Sequence, residues 1–207
     1  KDITMATGKK TTDITITPIN IETVDITIKG TTPLIIHAWS EKAKQMMLDK
    51  QRGKKVGAKH DIKIPVNDFS ESLYWLTDKP ELGTTDEEAE TNVFGAIDNG
   101  ARFGFPCNGI KASIISGAYR GGLDVKMTEL RGTFFLSGAT DASTIDYAEI
   151  VGSKPVMRED TVKVGGMSKS ADIRYRAEFS EWEIPLKLKY MKNGKYSLEQ
   201  LLNMVNY

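Results

Sequence analysis

Hydrophobic and polar positions alternate most regularly near the end of the chain. From Trp182 to Tyr190 the even positions are Trp182, Ile184, Leu186, Leu188 and Tyr190, while Glu183, Lys187 and Lys189 hold odd ones. That two-residue period predicts a strand with one buried face. After the turn Lys192-Asn193-Gly194-Lys195, Ser197 and Gln200 form a capping box, and Leu198, Leu201, Leu202 and Val205 fall at i, i+3, i+4 and i+7. This spacing predicts an amphipathic helix. Such a strand-then-helix unit normally returns to its sheet, so a further C-terminal strand is expected to follow the helix and reads as missing, the chain looking cut short at Tyr207.

Upstream, Val24, Ile26 and Ile28 alternate with Asp25, Thr27 and Lys29, predicting a strand over about 21–29 behind an extended Thr- and Ile-rich arm at residues 1–20. The run Thr32-Pro33-Leu34-Ile35-Ile36-His37 is short and apolar, and Ser40 can cap a helix with Ala43, Met46 and Met47 on one face. Residues 52–63 have no apolar period and read as a mobile basic loop. Asp68 paired with Glu71 predicts a helix over 68–77, and Thr85 with Glu88 predicts another through Val93, Phe94 and Ile97. Past Phe103-Gly104-Phe105, Asn108 is expected to cap a central helix carrying Ile110, Ile114, Ile115 and Ala118, ended by Gly121-Gly122. Short strands are expected at 132–137 and 147–151, and residues 163–170 read as a loop of Gly, Ser and Lys.

This order of elements predicts a single α+β domain over residues 1–207, built on a ferredoxin-like antiparallel sheet with helices on one face. Residues 40–100 form a helical insertion with a basic and an acidic part.

Composition changes the picture mainly through where charge sits. Lys plus Arg and Asp plus Glu both total 28, yet Lys42–Lys63 holds eight basic residues against Asp49 and Asp61, and Asp78–Glu90 holds six carboxylates against Lys79. A neutral total hides two opposed segments. The lone Cys107 excludes an intramolecular disulfide and fits a reducing cytoplasm. No apolar run approaches a membrane span, so the expectation is a cytoplasmic protein without membrane contact.

Catalytic chemistry is thinly supported. Two histidines, His37 and His60, and one cysteine give no zinc-type ligand set, and no metal or cofactor is expected. Val164-Gly165-Gly166-Met167-Ser168-Lys169-Ser170 lacks the Gly directly before Lys that a P-loop requires, and reads as a polar loop. His37, at the end of an apolar segment, suits either a structural hydrogen bond or proton transfer, with the former favoured. Cys107 reads as a small buried apolar group. The basic clusters carry more. Lys50, Arg52, Lys54, Lys55 and Lys59 lie among glycines, and a second set, Lys154, Arg158, Lys163, Lys169, Arg174 and Arg176, surrounds the other Gly-rich loop. Tyr175 between Arg174 and Arg176 interleaves a stacking surface with phosphate-binding cations, as single-strand binders do. Solubilising Lys-rich loops are the competing explanation, and a neutral pI lacks a dedicated binder's overall basic footprint.

Ile28-Lys29-Gly30-Thr31-Thr32-Pro33-Leu34-Ile35-Ile36-His37 resembles the opening of CRISPR repeat-associated (RAMP) backbone proteins, with its Gly-x-x-Pro-Leu-x-x-His turn. Arg174-Tyr175-Arg176, Phe179 and Trp182, then Ser197-Leu198-Glu199-Gln200-Leu201-Leu202, is similar to the late strand and helix of that superfamily. The RAMP likeness covers about a quarter of the chain. Most of the chain resembles conserved proteins of tailed bacteriophages. The resemblance implies an RRM/RAMP-like core that holds single-stranded nucleic acid, often in head-to-tail filaments, and no catalytic residue.

The leading expectation is therefore a phage-encoded, non-enzymatic single-stranded DNA- or RNA-binding protein acting in the cytoplasm of an infected bacterium and assembling into an oligomer or filament. Its contacts are Lys50, Arg52, Lys54, Lys55, Lys59, Lys169, Arg174, Tyr175 and Arg176. The alternatives are a protein-binding inhibitor of a host defence complex and, last, a metal-independent ribonuclease using His37 or His60.

Overall fold

A computed structural model describes residues 19–54, 62–164 and 170–206. In chain order the elements are β1 (Ile21–Lys29), β2 (Leu34–Ile36), α1 (Glu41–Gln51), α2 (Pro65–Ser72), α3 (Asp86–Asp98), β3 (Phe103–Pro106), α4 (Cys107–Arg120), α5 (Met127–Leu130), β4 (Phe134–Gly138), β5 (Tyr147–Gly152), β6 (Val156–Val164), β7 (Ser170–Phe179), β8 (Trp182–Met191) and α6 (Leu198–Val205). The class is α+β, with every strand pairing antiparallel.

The strongly alternating β8 is the spine of the larger sheet. Its nine-residue ladder with β1 runs from Ile21↔Met191 to Lys29↔Glu183. On the other side its second half pairs with β4 and its first two residues pair with β5, which in turn pairs with β3. The period of two sends Ile184, Leu186, Leu188 and Tyr190 into the core with Phe134, Leu136, Ala148 and Ile150. Helix α4 packs against β3, β4 and α6, burying Ile110, Ile114, Ile115 and Ala118. The sheet's opposite face carries Thr23, Asp25, Phe135, Lys187 and Lys189, all exposed. Among the described residues the outer edge of β1 pairs with no strand.

A second sheet, ordered β2-β7-β6, is mostly a long ribbon formed by β6 and β7. Helix α2 packs on β7 and α3 packs on α2, with Phe69 fully buried and its ring 6.0 Å from that of Phe94. Phe103 of the first sheet meets Phe179 of the second edge-on at 6.0 Å, so one hydrophobic core serves both.

Several elements depart from the sequence reading. Helix α2 begins at Pro65, not at an Asp68 cap, because proline presets the helical φ and its missing N–H costs nothing in the first turn. It ends at Ser72, after which Leu73 turns extended and Trp75 bridges to Phe103. Helix α4 starts at Cys107 straight out of β3, one residue before the expected Asn108 cap, and Cys107 is buried as expected. Residues 163, 164 and 170, expected in a loop, belong to β6 and β7, while 165–169 lie outside the described residues; β6 and β3 were not expected, and of β7 only the part from Arg174 to Phe179 was implied, by the RAMP resemblance. Helix α1 takes its Ser40 cap as expected, and the apolar face with Met46 and Met47 is exposed, no residue of the helix being buried.

Candidate functional site

The segment joining β2 to α1 still alternates after β2 ends. Ile36 and Ala38 are buried, with the Ala38 N–H donating to Ser72 O at 2.8 Å, so His37 and Trp39 turn outward. Trp39 is 60% exposed. Both side chains line an open cleft of about 450 Å³. Its other walls are Ser40 and Ala43 from the first turn of α1, Asp68, Glu71 and Ser72 of α2, Lys63 just before α2, and Asp172, Arg174 and Tyr175 of β7.

Charge in the cleft is nearly balanced. The Lys63 ammonium donates to Ile173 O, lies 3.6 Å from Asp68 and 3.5 Å from Asp172, and sits 5.6 Å from the Tyr175 ring centre. Arg174 faces the other Asp172 oxygen at 3.9 Å, a loose contact that leaves its donors available. Burial pushes the His37 imidazole below its ordinary pKa, and the Arg176 and Arg174 charges push it the same way, so it is neutral at pH 7. Burial raises the Asp68 carboxyl, opposed by Lys63.

Next to the cleft, the β6–β7 ribbon holds a tight ionic network. Arg158 Nε is 2.8 Å from Asp160 and its Nη1 is 2.7 Å from Glu178, while Arg176 Nη1 is 3.1 Å from Asp160. Arg176 is therefore half-buried and occupied by the protein's own carboxylate.

The expected contacts thus separate. Arg174 and Tyr175 line the cleft; Arg176 is not among its walls and is held in the ribbon network, paired with Asp160. Lys50, Arg52 and Lys54 sit at the far end of α1, about 15 Å along the helix from Ser40 at 1.5 Å per residue. Lys54 is paired with Asp49 at 3.2 Å, whereas Lys50 and Arg52 are exposed and have no ion-pair partner among the described residues. Lys55, Lys59, His60 and Lys169 lie outside the described residues. The borders of those two basic segments nevertheless meet, since Lys63 is bonded to Ile173 and paired with Asp172.

Trp39 and Asp172 are cleft residues that the sequence reading passed over. The alternation Ile36-His37-Ala38-Trp39 was the available signal for Trp39; nothing local marks Asp172, which reaches the cleft through β7. Chemically, the cleft offers two aromatic surfaces, a loosely held guanidinium, a neutral imidazole and the capped first turn of α1. It can hold a planar ring beside a phosphate. Among the described residues no cluster of His, Cys, Asp and Glu could hold a metal ion, and no helix is long and apolar enough to cross a membrane.

Compared with protein-family models, curated proteins and solved structures, the chain matches none. The functional reading therefore rests on the residues themselves.

Proposed function

We propose that this is a non-enzymatic, phage-encoded protein that binds single-stranded nucleic acid in the cleft between α1, α2 and β7. The observation that carries the reading is Trp39, 60% exposed beside Tyr175 and Arg174. A fold normally covers a tryptophan or uses it, and an exposed indole beside a second aromatic ring and a guanidinium suits an unpaired base and its phosphate. Lys50 and Arg52, at the other end of α1 and without an ion-pair partner among the described residues, would meet the backbone further along the strand. We also propose a ferredoxin-like core, a reading supported by the order β1-β8-β5, which would be its first, third and second strands, with α4 and α6 as its helices. Head-to-tail assembly is part of the same proposal.

The test is a titration of labelled single-stranded DNA and RNA at two salt concentrations. Binding that quenches tryptophan fluorescence and weakens with salt is expected. The salt slope should be shallow, because Lys63, Lys54, Arg158 and Arg176 are already answered by carboxylates. Absence of binding at low salt overturns the proposal.

Helix α1 favours a second reading, a protein-binding factor such as an inhibitor of a host defence complex. Met46, Met47 and Leu48 are 47%, 39% and 38% exposed on a helix with no buried residue, an adaptable apolar surface. Tight binding to a host protein with indifference to oligonucleotides would favour it.

A further inference from the structure

We propose that the uncovered face of the larger sheet is a second single-strand contact, where Phe135 stacks on a base and Lys187 and Lys189 hold the adjoining phosphates. This rests on the nucleic-acid reading above but uses none of the cleft's residues.

The alternation of β4 sends Phe134 and Leu136 into the core and Phe135 outward, where it is 58% exposed. The register lays Thr23, Lys189 and Phe135 in one row across β1, β8 and β4, and Asp25, Lys187 and Ser137 in the next. Along its own strand the ring is flanked by the small residues Thr133 and Ser137, its neighbour in the row is Lys189, and α4, the helix that packs on β4, lies on the core side. Lys187 and Lys189 project from the same face about 6.8 Å apart along β8. Neither has an ion-pair partner among the described residues, unlike most cations near the cleft. Lys111, which donates to Arg131 O at 2.7 Å, places its ammonium 4.3 Å from the Phe135 ring centre. The ring is thus held by a cation while more than half its side chain stays in water. The only carboxylate in these two rows is Asp25; Glu183, further along, is taken by Lys29 at 2.9 Å.

An exposed ring beside two cations of the neighbouring strand that are unpaired among the described residues fits a polyanion that also carries planar groups. Base–aromatic stacking contributes about 1–3 kcal/mol per base, and each phosphate neutralised on a single strand adds roughly 0.7 to the salt slope. A purely anionic ligand, such as a polyphosphate, would use the lysines and leave the ring without a partner.

The experiment measures affinity of the full chain for labelled oligothymidylate and oligouridylate across a salt series, for wild type, Phe135→Ala, Lys187→Gln/Lys189→Gln and Trp39→Ala. All the changed side chains are exposed, and thermal melts confirm folding. Phe135→Ala is expected to weaken binding about 5- to 150-fold, and the lysine pair to lower the salt slope by about 1.4. Ultraviolet cross-linking of wild type should recover the peptide containing Phe135. If wild type binds, Trp39→Ala weakens it, and both sheet variants behave as wild type, the inference is overturned while the cleft reading stands. If wild type does not bind at all, both fall. Loss of binding to phosphatidylserine vesicles in the lysine variant, with oligonucleotide binding unchanged, also overturns it.

Discussion

The Ser72 hydroxyl accepts a hydrogen bond from the Ala177 N–H at 2.9 Å and donates one to Phe69 O at 2.7 Å, with Ser72 only 1% exposed. That pair fastens the end of α2 to β7 near its C-terminal end, and so helps to set two walls of the cleft. Removing the hydroxyl leaves a buried N–H without a partner. Ser72→Ala is expected to cost about 1–3 kcal/mol in urea unfolding while leaving the m-value unchanged.

Gly30 sits where a side chain has no room. A Cβ there would lie 2.2 Å from the Trp182 indole, whose Nε1 donates to Thr32 O at 2.9 Å. Gly30→Ala must displace the indole and break that bond, at a cost of about 1–3 kcal/mol, read as a lower thermal midpoint.

Trp39→Ala should leave stability within about 0.5 kcal/mol, since the indole is mostly in water, yet weaken single-strand binding about 5- to 150-fold. Equal affinity for wild type and variant would remove Trp39 from the site.

Asp160 is held below its ordinary pKa, first by the hydrogen bond from Arg158 and then by Arg176. A carboxylate depressed in the folded state adds stability that is present above its unfolded value, roughly 3.9, and is lost as pH falls through the folded value. Thermal melts of Asp160→Asn should therefore differ from wild type at pH 7 and converge with it in acid. The same change frees Arg176, so oligonucleotide affinity is expected to rise.

His37 is shifted in the same direction, by burial first and then by the Arg176 and Arg174 charges. Its lowered pKa means the fold favours neutral imidazole, so protonation destabilises the protein as pH drops below the ordinary value of about 6.5. Proton NMR should show His37 titrating below that value, and His37→Gln should flatten the stability profile there. RNA incubated with wild type is expected to stay intact; cleavage abolished in His37→Gln would establish the ribonuclease reading instead.

Legibility in the sequence tracked how local each cause was. Strand β8 and helix α6 were readable because alternation and the Ser197–Gln200 capping box, present as predicted, act within a few residues. The β6–β7 ribbon was not. Its strand Val-Met-Arg-Glu-Asp-Thr-Val-Lys-Val breaks alternation with charged residues on consecutive positions, and these become compatible only when Arg158, Asp160, Arg176 and Glu178 meet across the ladder. Met46 and Met47 show the limit of periodicity, since helical spacing identifies an apolar face without saying whether anything covers it.

By itself the sequence determined the α+β class, the ends of α1, α3 and α6, the core face of β8 and the clustering of its cations, because these follow from periodicity, capping and charge count. Only the tertiary structure decided which cations stay available. A lysine's role depends on the carboxylates that folding brings within about 4 Å, and Asp172 beside Lys63, or Asp160 beside Arg176, comes from chain segments that local pattern cannot connect.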